Sequence, residues 1–280
     1  MPIFTAKPYL HVDHADSVEA MGERTKYTHG TFSWADLTTP DPTSAKHFYG
    51  ELFGWEMIDN PVGGGVVYTT ARIGGQDVAA ISPQQQQQRD AGAPPAWNSY
   101  ITVDSADQAL ERAKELGGTV HAPAFDVMTV GRMGVIQDPQ GAYVLVWEPK
   151  EHIGASLVNA PGAISWNELA SPDQEASAAF YGGVFGWKTT AMEGLPFPYL
   201  VINTADDHTN GGIAPITTPG SPPYWLVYFG SNDVEADLAK VSALGGTELV
   251  GVTDIGMGKI AVAQDPQGAA FALFSGEFDD

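Results

Sequence analysis

Residues 30–55, GTFSWADLTTPDPTSAKHFYGELFGW, recur at 162–187 as GAISWNELASPDQEASAAFYGGVFGW. Trp34 and Trp166 stand 132 residues apart (166 − 34), as do Trp55 and Trp187 (187 − 55). A later pair, Asp138-Pro139-Gln140-Gly141 and Asp265-Pro266-Gln267-Gly268, keeps an offset of 127 (265 − 138). A tandem duplication restricts the fold more than any composition does, because every element must serve in two copies. At 280 residues the chain also exceeds the roughly 100–200 residues of one ordinary domain. The expected division is an arm at 1–28, a first copy at 29–150, a linker at 151–161 and a second copy at 162–280.

Each copy reads as two βαβββ units, four in all, an α+β fold. In the first unit, Thr31 to Leu37 alternates as a strand, with Phe32, Trp34 and Asp36 on one face. Asp41 caps a helix and Pro42 occupies its first turn, where a missing N–H costs nothing. Ala45, Phe48, Tyr49, Leu52 and Phe53 form its apolar stripe, and Gly54 ends it. Three short strands follow, at Trp55 to Ile58, Val66 to Ile73 and Val78 to Ile81. The Gln-rich stretch from Pro83 to Pro95 reads as a low-complexity surface loop. The second unit has a strand at Trp97 to Val103, a helix from Asp104 or Ser105 to Gly117, and strands near Thr119 to His121, Arg132 to Ile136 and Ala142 to Trp147. The second copy repeats this order, with helices after Asp173 and from Asp233 to Leu244.

The chain has no cysteine, which excludes disulfides and thiolate chemistry and agrees with a reducing cytoplasm. No apolar run reaches the ~18–20 residues of a membrane span. A formal charge of −21 repels phosphate backbones and anionic head groups and attracts cations, so neither nucleic acid nor membrane is an expected partner. His11 and His14 in the arm have metal-compatible spacing, yet a pair in a polar terminal segment is ordinarily solvated. His29, His47, His121, His152 and His208 have no equivalents across the duplication.

Paired βαβββ units with a capped F-Y helix, a G-W after it and a closing D-P-x-G turn resemble the vicinal oxygen chelate superfamily. That family holds glyoxalases, bleomycin-resistance proteins and extradiol dioxygenases. The resemblance covers residues 29–276 and is strongest to a tandem actinobacterial subgroup associated with antibiotic gene clusters. It implies that paired units enclose a cavity whose lining determines function. It also implies metal ligands at set positions, and there this chain departs. The first-strand ligand position holds Trp34 and Trp166, the next Asn98 and Leu226, and the last Leu145 and Ala272. Ala79, Ala80, Gly211 and Gly212 surround the remaining one. These side chains offer a divalent ion no imidazole or carboxylate, so the expectation is a site with no metal and no cofactor. Glu148 falls on the opposite face of its strand.

Strand parity then gives the expected ligand-binding lining. In the first copy it comprises Phe32, Trp34 and Asp36, with Asn98 and Tyr100 from the second unit and Tyr143, Leu145 and Trp147 from its last strand. In the second copy it comprises Trp166, Glu168, Leu226, Tyr228 and Phe274, with Ile164 and Ala272 on the same face. Trp97 and Trp225 have the other parity and belong beneath the helices. Aromatic walls with one acid each suit a flat aromatic ligand carrying an amine. The expected function is a binding protein that sequesters or carries an aromatic, cationic antibiotic or polyketide of the anthracycline kind. A metal-independent enzyme or an accessory to a partner oxygenase is the alternative, and a metal-dependent lyase or dioxygenase the next. Monomer and homodimer are both compatible with the duplication.

Overall fold

A computed structural model describes residues 22–218 and 220–278. His11 and His14 lie outside the described residues. The first copy contains β1 (Phe32–Thr39), α1 (Pro42–Phe53), β2 (Glu56–Gly63), β3 (Val66–Ile73) and β4 (Gln76–Pro83). After a short helix α2 (Gln86–Asp90) come β5 (Ala96–Thr102), α3 (Ala106–Glu115), β6 (Phe125–Val127), β7 (Gly131–Gln137) and β8 (Tyr143–Pro149). The second copy contains β9 (Ile164–Ser171), α4 (Gln174–Phe185), β10 (Lys188–Ala191), β11 (Leu200–Asn203) and β12 (Thr209–Pro215). It closes with β13 (Tyr224–Gly230), α5 (Val234–Ala243), β14 (Thr247–Asp254), β15 (Gly258–Gln264) and β16 (Ala270–Gly276). The four βαβββ units are all present.

The two units of each copy join into one curled eight-stranded sheet, in the order β2-β3-β4-β1-β5-β8-β7-β6 and, identically, β10-β11-β12-β9-β13-β16-β15-β14. The join is the antiparallel pairing of β1 with β5 and of β9 with β13. Local chemistry sets the helix ends as the sequence indicates. The Asp41 carboxylate accepts from the Ser44 N–H, that of Asp173 from the Ala176 N–H, and Gly54 and Gly186 close their helices in the left-handed conformation.

Two expectations shift. Residues 119–121 form only a bridge from Thr119 to Gln137, and the edge strand lies later, at Phe125–Val127. The Gln-rich stretch is not bare loop, since α2 forms there with reciprocal capping by Gln85 and Gln88, and Gln84 is buried.

The sheets pack back to back through their helix-bearing faces. Ser99 of β5 donates across the seam to the Asn167 side-chain oxygen of β9 at 2.7 Å. Phe229 of β13 touches the rings of Phe53, Trp55 and Trp97 at centroid distances of 5.0–5.5 Å. Both large apolar clusters draw residues from both copies, so the duplication shares its hydrophobic interior rather than forming two separate ones.

The repeated motifs hold this seam reciprocally. Tyr49 donates to Oδ2 of Asp265 at 3.3 Å and Tyr181 to Oδ2 of Asp138 at 3.0 Å. Each tyrosine oxygen also receives an indole N–H, from Trp97 and Trp225 respectively. The Trp55 indole donates to the Gly162 carbonyl at 2.8 Å and that of Trp187 to the Gly30 carbonyl at 2.6 Å. Thus the F-Y, G-W and D-P-x-G residues of one copy meet the other copy, and Trp97 and Trp225 lie beneath the helices as expected.

The linker is part of the fold. The Ala155 N–H donates to the Ser33 carbonyl and the Ser156 N–H to the Asp77 carbonyl, while the arm's Tyr27 hydroxyl reaches the Ala155 carbonyl at 2.6 Å.

Candidate functional site

With the helices committed to the seam, each sheet turns its other face outward, and there the inner-face side chains gather. In the first copy the Trp34 indole N–H donates to the Tyr68 hydroxyl at 2.9 Å. Tyr68 in turn donates to Oδ2 of Asp36 at 3.4 Å, and Tyr100 donates to the same oxygen at 2.8 Å. The second copy repeats the set. Trp166 donates to Tyr199 at 2.9 Å, and Glu168 accepts from Tyr199 at 2.9 Å and from Tyr228 at 3.1 Å. Two central strands and a third, one strand removed from them across β4 or β12, therefore build one Trp–Tyr–acid–Tyr network twice. Tyr68 and Tyr199, from β3 and β11, were missed by the parity reading. Their separation of 131 (199 − 68) was the available signal, since it almost matches the main repeat.

The carboxyls are not equivalent. Asp36 is 5% exposed and takes a third donor, the Asn98 side-chain amide at 2.8 Å. The matching position in the second copy is Leu226, which donates nothing, and Glu168 is half-buried. Burial raises both pKa values above the ordinary carboxylate range, opposed at Asp36 by Asn98, Tyr100 and Tyr68 and at Glu168 by Tyr199 and Tyr228. The facing hydroxyls of Tyr68, Tyr100 and Tyr228 are raised as well, through burial first and the neighbouring acid second.

Several of the residues expected in the lining lie together on one face. Trp34, Tyr100 and Leu145 stand side by side on β1, β5 and β8, and each is at most 8% exposed. Trp147 closes the row, its indole donating to the His152 carbonyl. Leu226, Tyr228 and Ala272 cluster in the second copy with half-buried Trp166 and Phe274. Tyr143 lies at the rim, 50% exposed and stacked on His121 at 6.2 Å.

Phe32 is a correction. Its ring packs against Trp187 at 5.4 Å and Trp225 at 5.0 Å, inside the seam and away from the inner face. A β-bulge is the cause, because Phe32 pairs with Ile101 while Trp34 pairs with Tyr100, so one extra residue on β1 reverses the parity. The same bulge in β9 turns Ile164 into the seam cluster.

His152, in the linker and without an equivalent in the second copy, packs against the first inner face. Its ring stands edge-on to Trp34 at 4.8 Å and to Trp147 at 6.1 Å, so the linker seals one end of the first inner face. Its Nδ1 accepts from the Gly154 N–H, and Nε2 lies 3.8 Å from Oδ2 of Asp77. Burial lowers its pKa, with Asp77 opposing. Glu148 points off the inner face, as expected, and caps α3 through the Ala106 N–H.

The side chains present do not fit a divalent ion. The sheet positions that would converge on one carry Trp34, Leu145, Leu226 and Ala272, and the carboxyls beside them already accept tyrosine hydroxyls. At Gly212, paired with Glu168 across β9 and β12, a Cβ would collide with the Tyr199 hydroxyl, so the ring occupies the room a ligating side chain would need. Among the described residues no three His, Asp or Glu side chains converge. Surface clefts of about 420 Å³ beside α3 and about 730 Å³ beside the N-terminus of α5 share no residue with either network. None of the described helices is long and apolar enough to cross a membrane.

Comparison with known proteins agrees with this architecture. CFP32 of Mycobacterium tuberculosis, whose name ranks it provisionally as a glyoxylase, is 43% identical over 256 residues, covering 90% of this chain and 97% of that protein. The anthracycline biosynthesis protein DauV of a Streptomyces species is 31% identical over 264 residues, covering 89% and 94%. Among solved structures, the Mn(II)-bound glyoxalase of Novosphingobium aromaticivorans superposes with a TM-score of 0.63 at 17% identity, over 90% of this chain and 83% of that one, a likeness of fold alone. The glyoxalase/bleomycin resistance protein/dioxygenase superfamily matches residues 31–146 and 163–273, which is to say both halves, and the chain belongs to that superfamily.

Proposed function

We propose that this protein binds a flat aromatic small molecule of the polyketide-antibiotic kind on the inner face of its sheets, holding or delivering it without a divalent ion. The observation that carries the reading is the Trp–Tyr–acid–Tyr network, built twice from equivalent strands where a metal centre would need imidazoles and carboxylates. Indole and phenol faces supply stacking area, and the carboxyl beside them fixes orientation through hydrogen bonds. Relatives named for anthracycline biosynthesis point to the same ligand class. The test is titration with a panel of anthracyclines and other aromatic polyketides, read by tryptophan fluorescence. Quenching with micromolar or tighter affinity, about −8 kcal/mol, is expected and should survive EDTA. No quenching across the panel overturns the proposal.

A second reading is a metal-independent enzyme or an oxygenase accessory. The observation favouring it is a pair of carboxyls whose pKa values burial raises, each beside tyrosine hydroxyls, which is a composition suited to proton transfer. Turnover that persists in EDTA and disappears in Glu168→Gln while binding remains would select it.

A further inference from the structure

The duplication leaves two networks, and their surroundings differ in three independent ways. The first is access. Trp34, Asp36 and Trp147 are 5%, 5% and 7% exposed, whereas their counterparts Trp166, Glu168 and Phe274 are all half-buried. The second is the cover. The linker lays His152 edge-on to Trp34 and Trp147, tied down by the Ala155 and Ser156 N–H bonds to Ser33 and Asp77. The third is the state of the acid. A carboxylate has about four acceptor positions. Asp36 takes Asn98, Tyr100 and Tyr68, while Glu168 takes Tyr199 and Tyr228 alone among the described residues and faces Leu226 where Asn98 would be.

We propose that the second inner face is the working site and that it selects ligands bearing a protonated amine, seated on Glu168 among the rings of Trp166, Tyr199, Tyr224 and Tyr228. The first inner face is its closed structural counterpart. This rests on the reading that the inner faces bind an aromatic ligand. An ammonium supplies the donors that Glu168 lacks, and the surrounding π-faces attract the same charge. Tyr224 shares the inner face of β13 with Leu226 and Tyr228, and it is 41% exposed, at the mouth of the site. Its hydroxyl pKa is raised by burial and by the Glu168 charge. The net charge of −21 favours approach of a cation to the protein.

The experiment uses the full chain and two probes, an anthracycline with an amino sugar and the matched analogue with a hydroxyl in place of the amine. Isothermal titration should give one ligand per chain and at least tenfold tighter binding of the amine. Glu168→Gln should erase that preference while retaining binding of the hydroxyl analogue. Leu226→Asn, which gives Glu168 the donor Asp36 already has, should reduce the preference with the fold checked by circular dichroism. Two equal sites per chain, or an amine preference that survives Glu168→Gln, overturns the proposal while leaving the inner-face reading intact. Binding of neither probe overturns both.

Discussion

The hydroxyl of Tyr181 lies 3.0 Å from Oδ2 of Asp138, so a helix of the second copy is bonded to a turn of the first. The mirrored bond, Tyr49 to Asp265, is longer at 3.3 Å. Removing the Tyr181 hydroxyl leaves a buried indole N–H of Trp225 and a buried carboxylate oxygen without partners. Tyr181→Phe should therefore cost about 1–3 kcal/mol, and more than Tyr49→Phe, as measured by urea denaturation.

Gly154 holds the linker against β1 at φ +113°, where a Cβ would strike the Ser33 carbonyl. Gly154→Ala combines that collision with a backbone conformation that L-residues rarely adopt. A loss of roughly 2 kcal/mol or more is expected. Increased acrylamide quenching of tryptophan should accompany it as His152 lifts from Trp34 and Trp147.

Burial lifts the Asp36 carboxyl above its ordinary range. The folded chain therefore keeps the acid neutral across a span in which the unfolded chain has already ionised. Its stabilising contribution is full below the ordinary carboxylate pKa and is lost as pH rises through the folded-state value. Glu168 acts in the same sense. Asp36→Asn should flatten the fall of unfolding free energy with pH over that window, whatever it does to stability at low pH. An unchanged slope would show that Asp36 is not held neutral.

Phe32 and Trp166 separate stability from binding. Phe32→Ala opens a cavity between Trp187 and Trp225 and should cost about 3–5 kcal/mol. The milder Phe32→Leu should lower the denaturation midpoint and leave ligand affinity unchanged. Trp166→Phe removes the bond to Tyr199 and part of the stacking surface, so it should weaken binding several-fold with a smaller effect on stability.

Dialysis against EDTA followed by Mn²⁺, Zn²⁺ or Mg²⁺ should leave the melting temperature within about 1 °C of the starting value. A site with micromolar affinity, in contrast, would raise it clearly at a hundredfold excess of ion.

The four units, their helix caps and most inner-face positions were legible because they rest on local chemistry: alternation along a strand, Asp before Pro, glycine after a helix. Phe32 was misplaced because parity counting assumes an unbroken pleat, and a single bulge residue inverts it. The F-Y and D-P-x-G motifs were read correctly as family marks, but their partners lie 216 residues away in the case of Tyr49 and Asp265, beyond any local pattern. Tyr68 and Tyr199 sit on flanking strands, where the repeat spacing alone could have drawn attention to them. The contact of His152 with Trp34 was not legible for a related reason, since a linker has no counterpart in the second copy with which to compare it.

Because the sheets meet back to back, their recesses look away from each other and share no wall. With separate linings, either half can be released from the duty of recognition provided it still completes the common interior. A duplicated gene with this geometry can retire one of its two mouths into ballast and refine the other, with no need for the halves to evolve in step.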